Sequence, residues 1–432
     1  MRAPSPRNAP CSRKSRLPVS DNSFPRPGWL PLLCLTRVLQ ATLPTAWAGI
    51  MPLVMHDWQL RAAQAGLVQS AWHAGYMVSL FCVGFIADRV GPRRVFGLCS
   101  LLTALAAGLF AWGAQGPVSA ALLYGLAGLC AGGCYSPGLQ LLVRNAAPAA
   151  RGRSMGMFIG AGSLGYGVSL VLVAALADAL HWRWLLALIA LLVALGAAAT
   201  GLALARLRPD APPAPVADVC LRAALARTLK DKPAMAGSLA YAAHCWELMA
   251  LWAWLPAYLA FAAQGGGLSL SQGVALAALA HLVSVAGSLL GGAASDRFGR
   301  AQVMLAASCA SLACGFAFGW MWAAPVWAVA AMGALYSLLA IADSSVYSTA
   351  LADVVPAERL GAAFSVRSVL GFGAGAISPW VFGLALDWGQ AHYALPGQAW
   401  VLAWSTGGAG SLLGPGMIRR FQRLTSGRGE KP

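Results

Sequence analysis

Charge is what this chain has least of. Only 10% of its 432 residues are Asp, Glu, Lys or Arg, where a soluble globular domain carries about a quarter. The acids are scarcer still, 14 against 30 basic residues. That is too little charge to clothe an ordinary water-exposed surface. Several motifs are missing too. No G-x-x-x-x-G-K-[ST] loop occurs, which argues against ATP drive within the chain. The ten cysteines contain no C-x-x-C pair. Cys130 and Cys134 share a helix face, but no His or further Cys joins them, so they read as small apolar packing residues. Alternating strands of about ten residues are absent, which excludes an outer-membrane barrel. Residues 1–28 hold Arg, Lys, Pro and Ser without an apolar core; they read as a disordered basic tail rather than a signal peptide.

What is present is apolar. The chain is 59% hydrophobic with a mean hydropathy of +0.65. A helix needs roughly 20 apolar residues to cross a bilayer. The apolar runs supply about twelve such spans, near residues 29–54, 64–87, 95–113, 118–143, 154–177, 182–205, 234–261, 270–293, 302–322, 325–352, 363–386 and 397–418. If these spans alternate in direction, every basic residue except Arg37, Arg61 and Arg183 falls on or near one face. That asymmetry places the face, and both termini, in the cytoplasm of a cell with an inner membrane. It also accounts for the +16 net charge without nucleic acid. Trp182, Trp184, Trp320 and Trp322 suit anchoring at the membrane interface.

The two halves of the chain repeat each other. Gly84-Phe-Ile-Ala-Asp88-Arg89-Val-Gly91 recurs 208 residues later as Gly292-Ala-Ala-Ser-Asp296-Arg297-Phe-Gly299. Tyr135-Ser136 recurs as Tyr347-Ser348, Pro148-Ala-Ala-Arg151 as Pro356-Ala-Glu-Arg359, and Gly165-Tyr-Gly167 as Gly371-Phe-Gly373. A proline-rich polar stretch divides six spans from six and reads as a linker. The expected architecture is all-α: twelve transmembrane helices in two pseudo-symmetric six-helix bundles. Its boundaries are a tail 1–28, a bundle 29–207, a cytoplasmic linker 208–232, a bundle 233–420 and a tail 421–432.

On these motifs, from about residue 29 to 420, the chain resembles the major facilitator superfamily. The hallmark of that family is a G-x-x-x-D-R-x-G-[RK]-[RK] turn between helices 2 and 3, weakly repeated between helices 8 and 9. The first copy here ends Gly91-Pro92-Arg93-Arg94 and the second Gly299-Arg300. The resemblance implies two bundles rocking around a central cavity, with helices 1, 4, 7 and 10 lining the pathway. It implies a cytoplasmic gate of Gly84, Asp88, Arg89, Gly91, Arg93, Gly292, Asp296, Arg297, Gly299, Arg300, Arg153 and Arg367. Asp88 would dock at the start of span 11, near Ser365 to Arg367, and Asp296 at the start of span 5, near Arg153 and Ser154. An acid there meets free N–H groups and the positive end of a helix dipole, about 1 kcal/mol or more per contact. Gly84 and Gly292 would let helices approach closely, and Gly91 and Gly299 would let the loops turn. Tyr124 stands where many proton-coupled members have Arg. Span 5 holds five glycines but not the proline of the family's exchanger signature. The stretch Tyr241-Ala-Ala-His244-Cys-Trp246-Glu247-Leu, with Trp254-Leu-Pro256, looks loosely like bacterial cyanate- and nitrate-type permeases.

Ionisable residues inside the spans are few. A charge at the bilayer centre costs at least ~2.5–3.5 kcal/mol, so such residues usually face a cavity or a partner. Arg37 is in span 1, His244 and Glu247 in span 7, Asp343 in span 10. Arg37 suits an anionic substrate, since a guanidinium stays charged and holds planar anions through paired donors; snorkelling to the cytoplasmic face, or an ion pair with Asp343 or Glu247, is the alternative. His244 and Glu247, three residues apart on one helix face, are a candidate proton-linked pair. Tyr124, Tyr135, Gln140 and Trp254 are candidate cavity wall. His73 and His281, in corresponding spans, read as packing residues.

The expected function is secondary active transport of a small solute by alternating access. An organic or inorganic anion is the first candidate and drug or metabolite efflux the second. A membrane-embedded enzyme is disfavoured because acids, bases and metal ligands do not cluster at one interface; a transport-dead sensor on the same fold is the other remote alternative. No cofactor is expected. The expected partners are a small-molecule substrate, a proton as candidate co-substrate and the lipid bilayer, for a monomeric protein.

Overall fold

The computed structural model describes residues 25–147, 150–209, 221–356 and 359–426. All regular elements among them are helical. Twelve segments follow in order. The first is Trp29–Gln40 with Ala46–Asp57, the second Ala62–Val90, the third Pro92–Gly113 and the fourth Pro117–Gly132 with Ser136–Asn145. The fifth is Arg151–Leu176 and the sixth Trp182–Arg206. After a short helix Leu221–Lys230 come the seventh, Lys232–Gly265, the eighth, Leu270–Phe298, and the ninth, Arg300–Phe318 with the turn Gly319–Ala323. The tenth is Val326–Ala342 with Ser344–Val354, the eleventh Leu360–His392, and the twelfth Pro396–Ser411 with Leu413–Ser426. Most of the expected tails, residues 1–24 and 427–432, and linker residues 210–220 lie outside the described residues.

Nine helices among the described residues are long and apolar enough to cross a membrane, fewer than the twelve expected. The shortfall has local causes. The first segment is split around Pro44, which has no N–H to donate. The twelfth is split at Leu412 into helices of 16 and 14 residues.

Unwound backbone inside a membrane must find partners within the protein. At the Pro44 break the Tyr124 hydroxyl donates to the Leu43 and Pro44 carbonyls at 2.8 and 2.9 Å. Glycines set the closest helix approaches. A Cβ at Gly128 would strike the Trp72 carbonyl of the second segment, and one at Gly291 the Ala342 carbonyl of the tenth. Gly292, expected to serve that approach, is not the contact point: its Cβ would meet only the Ser345 hydroxyl, at 3.6 Å. One residue along a helix turns the side chain by about 100°, so Gly291 takes the packing role.

The halves meet along the second and eleventh, the fifth and eighth, and the first and seventh segments. On the side opposite the basic loops they are tied together. Asp387, near the end of the eleventh segment, accepts the N–H of Ala62 at 2.7 Å and of Ala63 at 2.9 Å, at the start of the second. Asp178, just past the fifth, accepts the Ser271 hydroxyl at 2.5 Å, in the first turn of the eighth. The second and eighth segments are counterparts in the repeat, as are the fifth and eleventh. The same acid-to-helix-start contact is therefore made twice, each time across the two halves. The Trp380 N–H donates to the Ser70 hydroxyl at 3.2 Å, and Gly66 and Gly383 let the backbones touch.

Candidate functional site

Arg37 lies in the last turn of Trp29–Gln40 and is half-buried. Its guanidinium sits over the rings of Tyr135, at 5.2 Å, and Phe158, at 5.6 Å. The space beside it exists because residue 162 of the fifth segment is glycine: a Cβ there would come within 3.0 Å of the Arg37 Nε. Aromatic faces attract the cation but do not satisfy its Nε–H. Nε is buried without a hydrogen-bond partner. Among the described residues Arg37 forms no ion pair, with Asp343, Glu247 or any other acid.

Arg367 stands a similar distance into the other half. It was expected at the cytoplasmic gate, but it lies two turns inside the eleventh segment. Its guanidinium covers Tyr241 at 4.4 Å and Phe364 at 4.8 Å. Nη1 donates to the Ser348 hydroxyl at 2.6 Å, while Nε is buried without a partner.

The acids are placed differently from the sequence expectation. His244 and Glu247 share a helix but turn to different partners. His244 Nδ1 is 2.9 Å from Asp343 Oδ1, joining the seventh segment to the tenth, with both groups buried. The pairing is possible because Asp343 occupies the break between the two helices of the tenth segment. His244 Nε2 has no hydrogen-bond partner. Glu247, also buried, accepts the hydroxyls of Tyr336 at 2.9 Å and Ser311 at 3.0 Å. Tyr347 packs on His244, with centroids 5.3 Å apart.

An aromatic layer closes the space toward the tied side. Tyr76 of the second segment meets Phe372 of the eleventh at 5.4 Å. Tyr166 of the fifth meets Trp252 at 5.5 Å and His281 at 5.8 Å. A void of about 40 Å³ remains there, lined in part by Gln69, His73, Tyr76 and Trp252. It has room for a few waters and no more. His73 and His281 are buried, His73 with Gln69 at 3.2 Å.

The repeated turns lie at the opposite, basic end. Gly91 and Gly299 have φ of 97° and 92°, a conformation open mainly to glycine. Arg93 donates to the carbonyls of Leu207 and Arg208 at 2.6 and 2.8 Å. Among the described residues Asp296 does not reach the fifth segment: it accepts from Arg300 Nη1, at the start of the ninth, at 2.5 Å, with its side chain 71% exposed. Arg300 Nε is 3.4 Å from Asp353 of the tenth segment. Arg297 covers Phe298, while Arg89 and Arg153 are exposed. The side chains of Gly84 and Asp88 lie outside the described ones.

Two bundles, half-buried arginines within the apolar segments and a repeated glycine–aspartate turn agree with a family comparison. The model of the Major Facilitator Superfamily matches residues 33–379. The chain belongs to this superfamily. As a member it is a multi-pass membrane transporter of small solutes and not an enzyme. Among curated superfamily transporters it is 26% identical to a probable sulfoacetate transporter, SauU, of Cupriavidus necator, over 78% of this chain and 81% of that one. It is 30% identical to the 4-hydroxybenzoate transporter PcaK of Pseudomonas aeruginosa, over 31% of this chain and 30% of the other. The nucleoside transporter NupG superposes with a TM-score of 0.73 at 15% identity, covering 92% of this chain and 99% of its own. A bacterial homologue of the lysosomal transporter Spinster, inward-facing and unoccupied, gives 0.70 at 16% identity, covering 92% and 96%. These two structural likenesses show the fold alone.

Not every residue expected to line the pathway of this superfamily member does so. Tyr124 is fully buried at the Pro44 break. Trp254 is fully buried in the C-terminal half, stacked on Phe382 at 5.1 Å and donating to the Pro379 carbonyl at 2.9 Å. Tyr135 and Gln140 are half-buried. Sequence reasoning missed Tyr166, Tyr241, Tyr336, Asp178 and Asp387. The two acids were legible only as residues near span ends, and nothing in their neighbours distinguished them from loop charges.

Proposed function

We propose that this transporter carries small organic anions by alternating access, with Arg37 receiving an anionic group of the substrate. One observation carries the reading: Arg37 is a charged side chain inside the membrane-spanning region with a buried, unpartnered Nε–H and, among the described residues, no acid paired to it. Leaving such a donor unsatisfied costs about 1–3 kcal/mol, and an entering carboxylate or sulfonate removes that cost with paired donors. The two curated relatives are named for sulfoacetate and 4-hydroxybenzoate, both carboxylates, which supports the same class. The His244–Asp343 pair, buried between the seventh and tenth segments, supports proton coupling. The concentration of basic loops on one face supports a cytoplasmic-membrane orientation with that face inside. The tied opposite side then makes this the inward-facing arrangement. The Asp88 and Asp296 turns would latch in the opposite state, when the cytoplasmic ends come together.

The test is uptake and counterflow in proteoliposomes with a panel of carboxylates, sulfonates and cations, with and without a pH gradient. Anion transport is expected, with Arg37→Ala lowering it at least about tenfold, the loss of one charge-assisted contact. Transport of cations alone, or anion transport untouched in Arg37→Ala, overturns the reading.

A further inference from the structure

We infer that the fifth and eighth segments keep one antiparallel register through the transport cycle, and that Gly160 is the seat Leu289 fills when the basic-loop side closes. The inference specifies the alternating-access reading above and does not depend on which solute is carried.

The closed part of this seam fixes the register. At the tied end Asp178 meets Ser271 at 2.5 Å. Eleven residues back along the fifth segment, and eleven on along the eighth, Gly167 lies against Leu282; a Cβ on the glycine would come within 2.6 Å of the leucine Cδ2. Equal steps along both helices mean that the pair packs without slipping. The other seam between the halves behaves alike. Ala62 of the second segment meets Asp387 of the eleventh. Fifteen residues on, Met77 Sδ is 3.4 Å from where a Cβ of Gly373 would stand, fourteen residues back.

Toward the basic loops the seam of the fifth and eighth segments opens. Seven residues beyond Gly167 and Leu282, the register sets Gly160 opposite Leu289, again a glycine facing a leucine. Seven residues are close to two full turns, so both positions stay on the seam face. Nothing lies within 4 Å of a Cβ at Gly160 or, one turn on, at Gly156. On the facing helix Ala286, Leu289 and Ala293 are all exposed, Leu289 by 71%. The seam is therefore a wedge, packed at Gly167 and empty at Gly160, about 10 Å further along. Rocking about the packed end brings Leu289 onto Gly160 as Leu282 already sits on Gly167. A side chain at either glycine would hold the two helices apart. The same register sets Asp296 opposite Arg153, the neighbour that the repeated turn implies for it, although here Asp296 accepts from Arg300.

The experiment uses the full chain, freed of its native cysteines, in proteoliposomes under a mild oxidant. A disulfide needs Cβ atoms about 3.8 Å apart, closer than anything lies to Gly160 in this arrangement. Gly160→Cys with Leu289→Cys therefore bridges only when the seam closes. It is expected to cross-link at least about tenfold faster than Gly160→Cys with Ala293→Cys, one turn out of register. Arg153→Cys with Asp296→Cys reports closure at the loop end. Gly160→Leu is expected to slow that reporter by about tenfold or more, the scale of overpacking a helix contact. Leu289→Gly in the same chain should restore the rate, because bulk and notch then trade places. Gly201→Leu, at an open glycine on the sixth segment, should leave it within about twofold. Equal rates for the two Gly160 pairs, or a reporter untouched by Gly160→Leu, overturns the inference. If Gly160→Leu does not fold, the comparison of the two Gly160 pairs decides. Absence of every cross-link while spin labels at Gln115 and Ala394 show the tied side opening overturns the register alone; absence of both cross-links and opening overturns alternating access itself.

Discussion

Removing the Asp387 carboxylate is expected to open the side of the protein that the structure shows tied. Asp387 accepts two backbone N–H groups at the start of the second segment, at 2.7 and 2.9 Å, from the other half of the molecule. The site is part-buried, so each bond is worth about 1 kcal/mol, and the carboxylate at a helix N-terminus adds about 0.3–1 kcal/mol. Together that is roughly 2–3 kcal/mol, or about a 30- to 150-fold shift in the equilibrium between closed and open forms. A minor open population on the order of 1% would rise to roughly a quarter or more. Spin labels at Gln115 and Ala394, exposed on that side in opposite halves, report the separation in a cysteine-free background. Asp387→Ala should add a longer-distance population, and Asp387→Asn, which keeps an acceptor oxygen, a smaller one. Asp178→Ala should act in the same direction through the Ser271 contact. A distance distribution unchanged in Asp387→Ala would refute the reasoning, because it would mean that packing at Gly66 and Gly383 alone holds this side shut.

Asp343→Asn removes the charge that faces His244 at 2.9 Å; transport driven by a pH gradient should fall to the level seen without one while counterflow persists, and a retained gradient response would exclude the pair from coupling. Gly128→Ala should lower the midpoint of thermal unfolding in detergent by the effect of about 1–3 kcal/mol of overpacking, since its Cβ meets the Trp72 carbonyl, whereas Gly160→Ala should be neutral or stabilising, since nothing lies within 4 Å of the added atom. Equal midpoints for the two variants would contradict the packing described.

The residues show why some of this was readable from sequence and some was not. The charge at Arg37 stood out because any guanidinium in an apolar span is anomalous. His244 and Glu247 looked paired because helix spacing is the only geometry a sequence displays; the true partner of His244, Asp343, is 99 residues away. Arg367 looked like a gate residue because it lies near the expected start of the eleventh helix; it follows the observed start by seven positions, and at 1.5 Å per residue that already carries it in to the Tyr241 ring of the seventh segment. Trp254 and Tyr124 looked like cavity wall because segment membership was known while helix rotation was not.

Sequence alone determined the membrane class, the twofold repeat, the order of the segments and the face that carries the basic loops. Those depend on composition, periodicity and local turn chemistry, all of which are written along the chain. Tertiary structure decided which side of the protein is tied, which glycine lets two helices touch, and which buried groups have partners. Those depend on contacts between segments far apart in sequence. Whether Arg37 and Arg367 are satisfied or waiting for a ligand is a question about what surrounds them, and only packing supplies the surroundings.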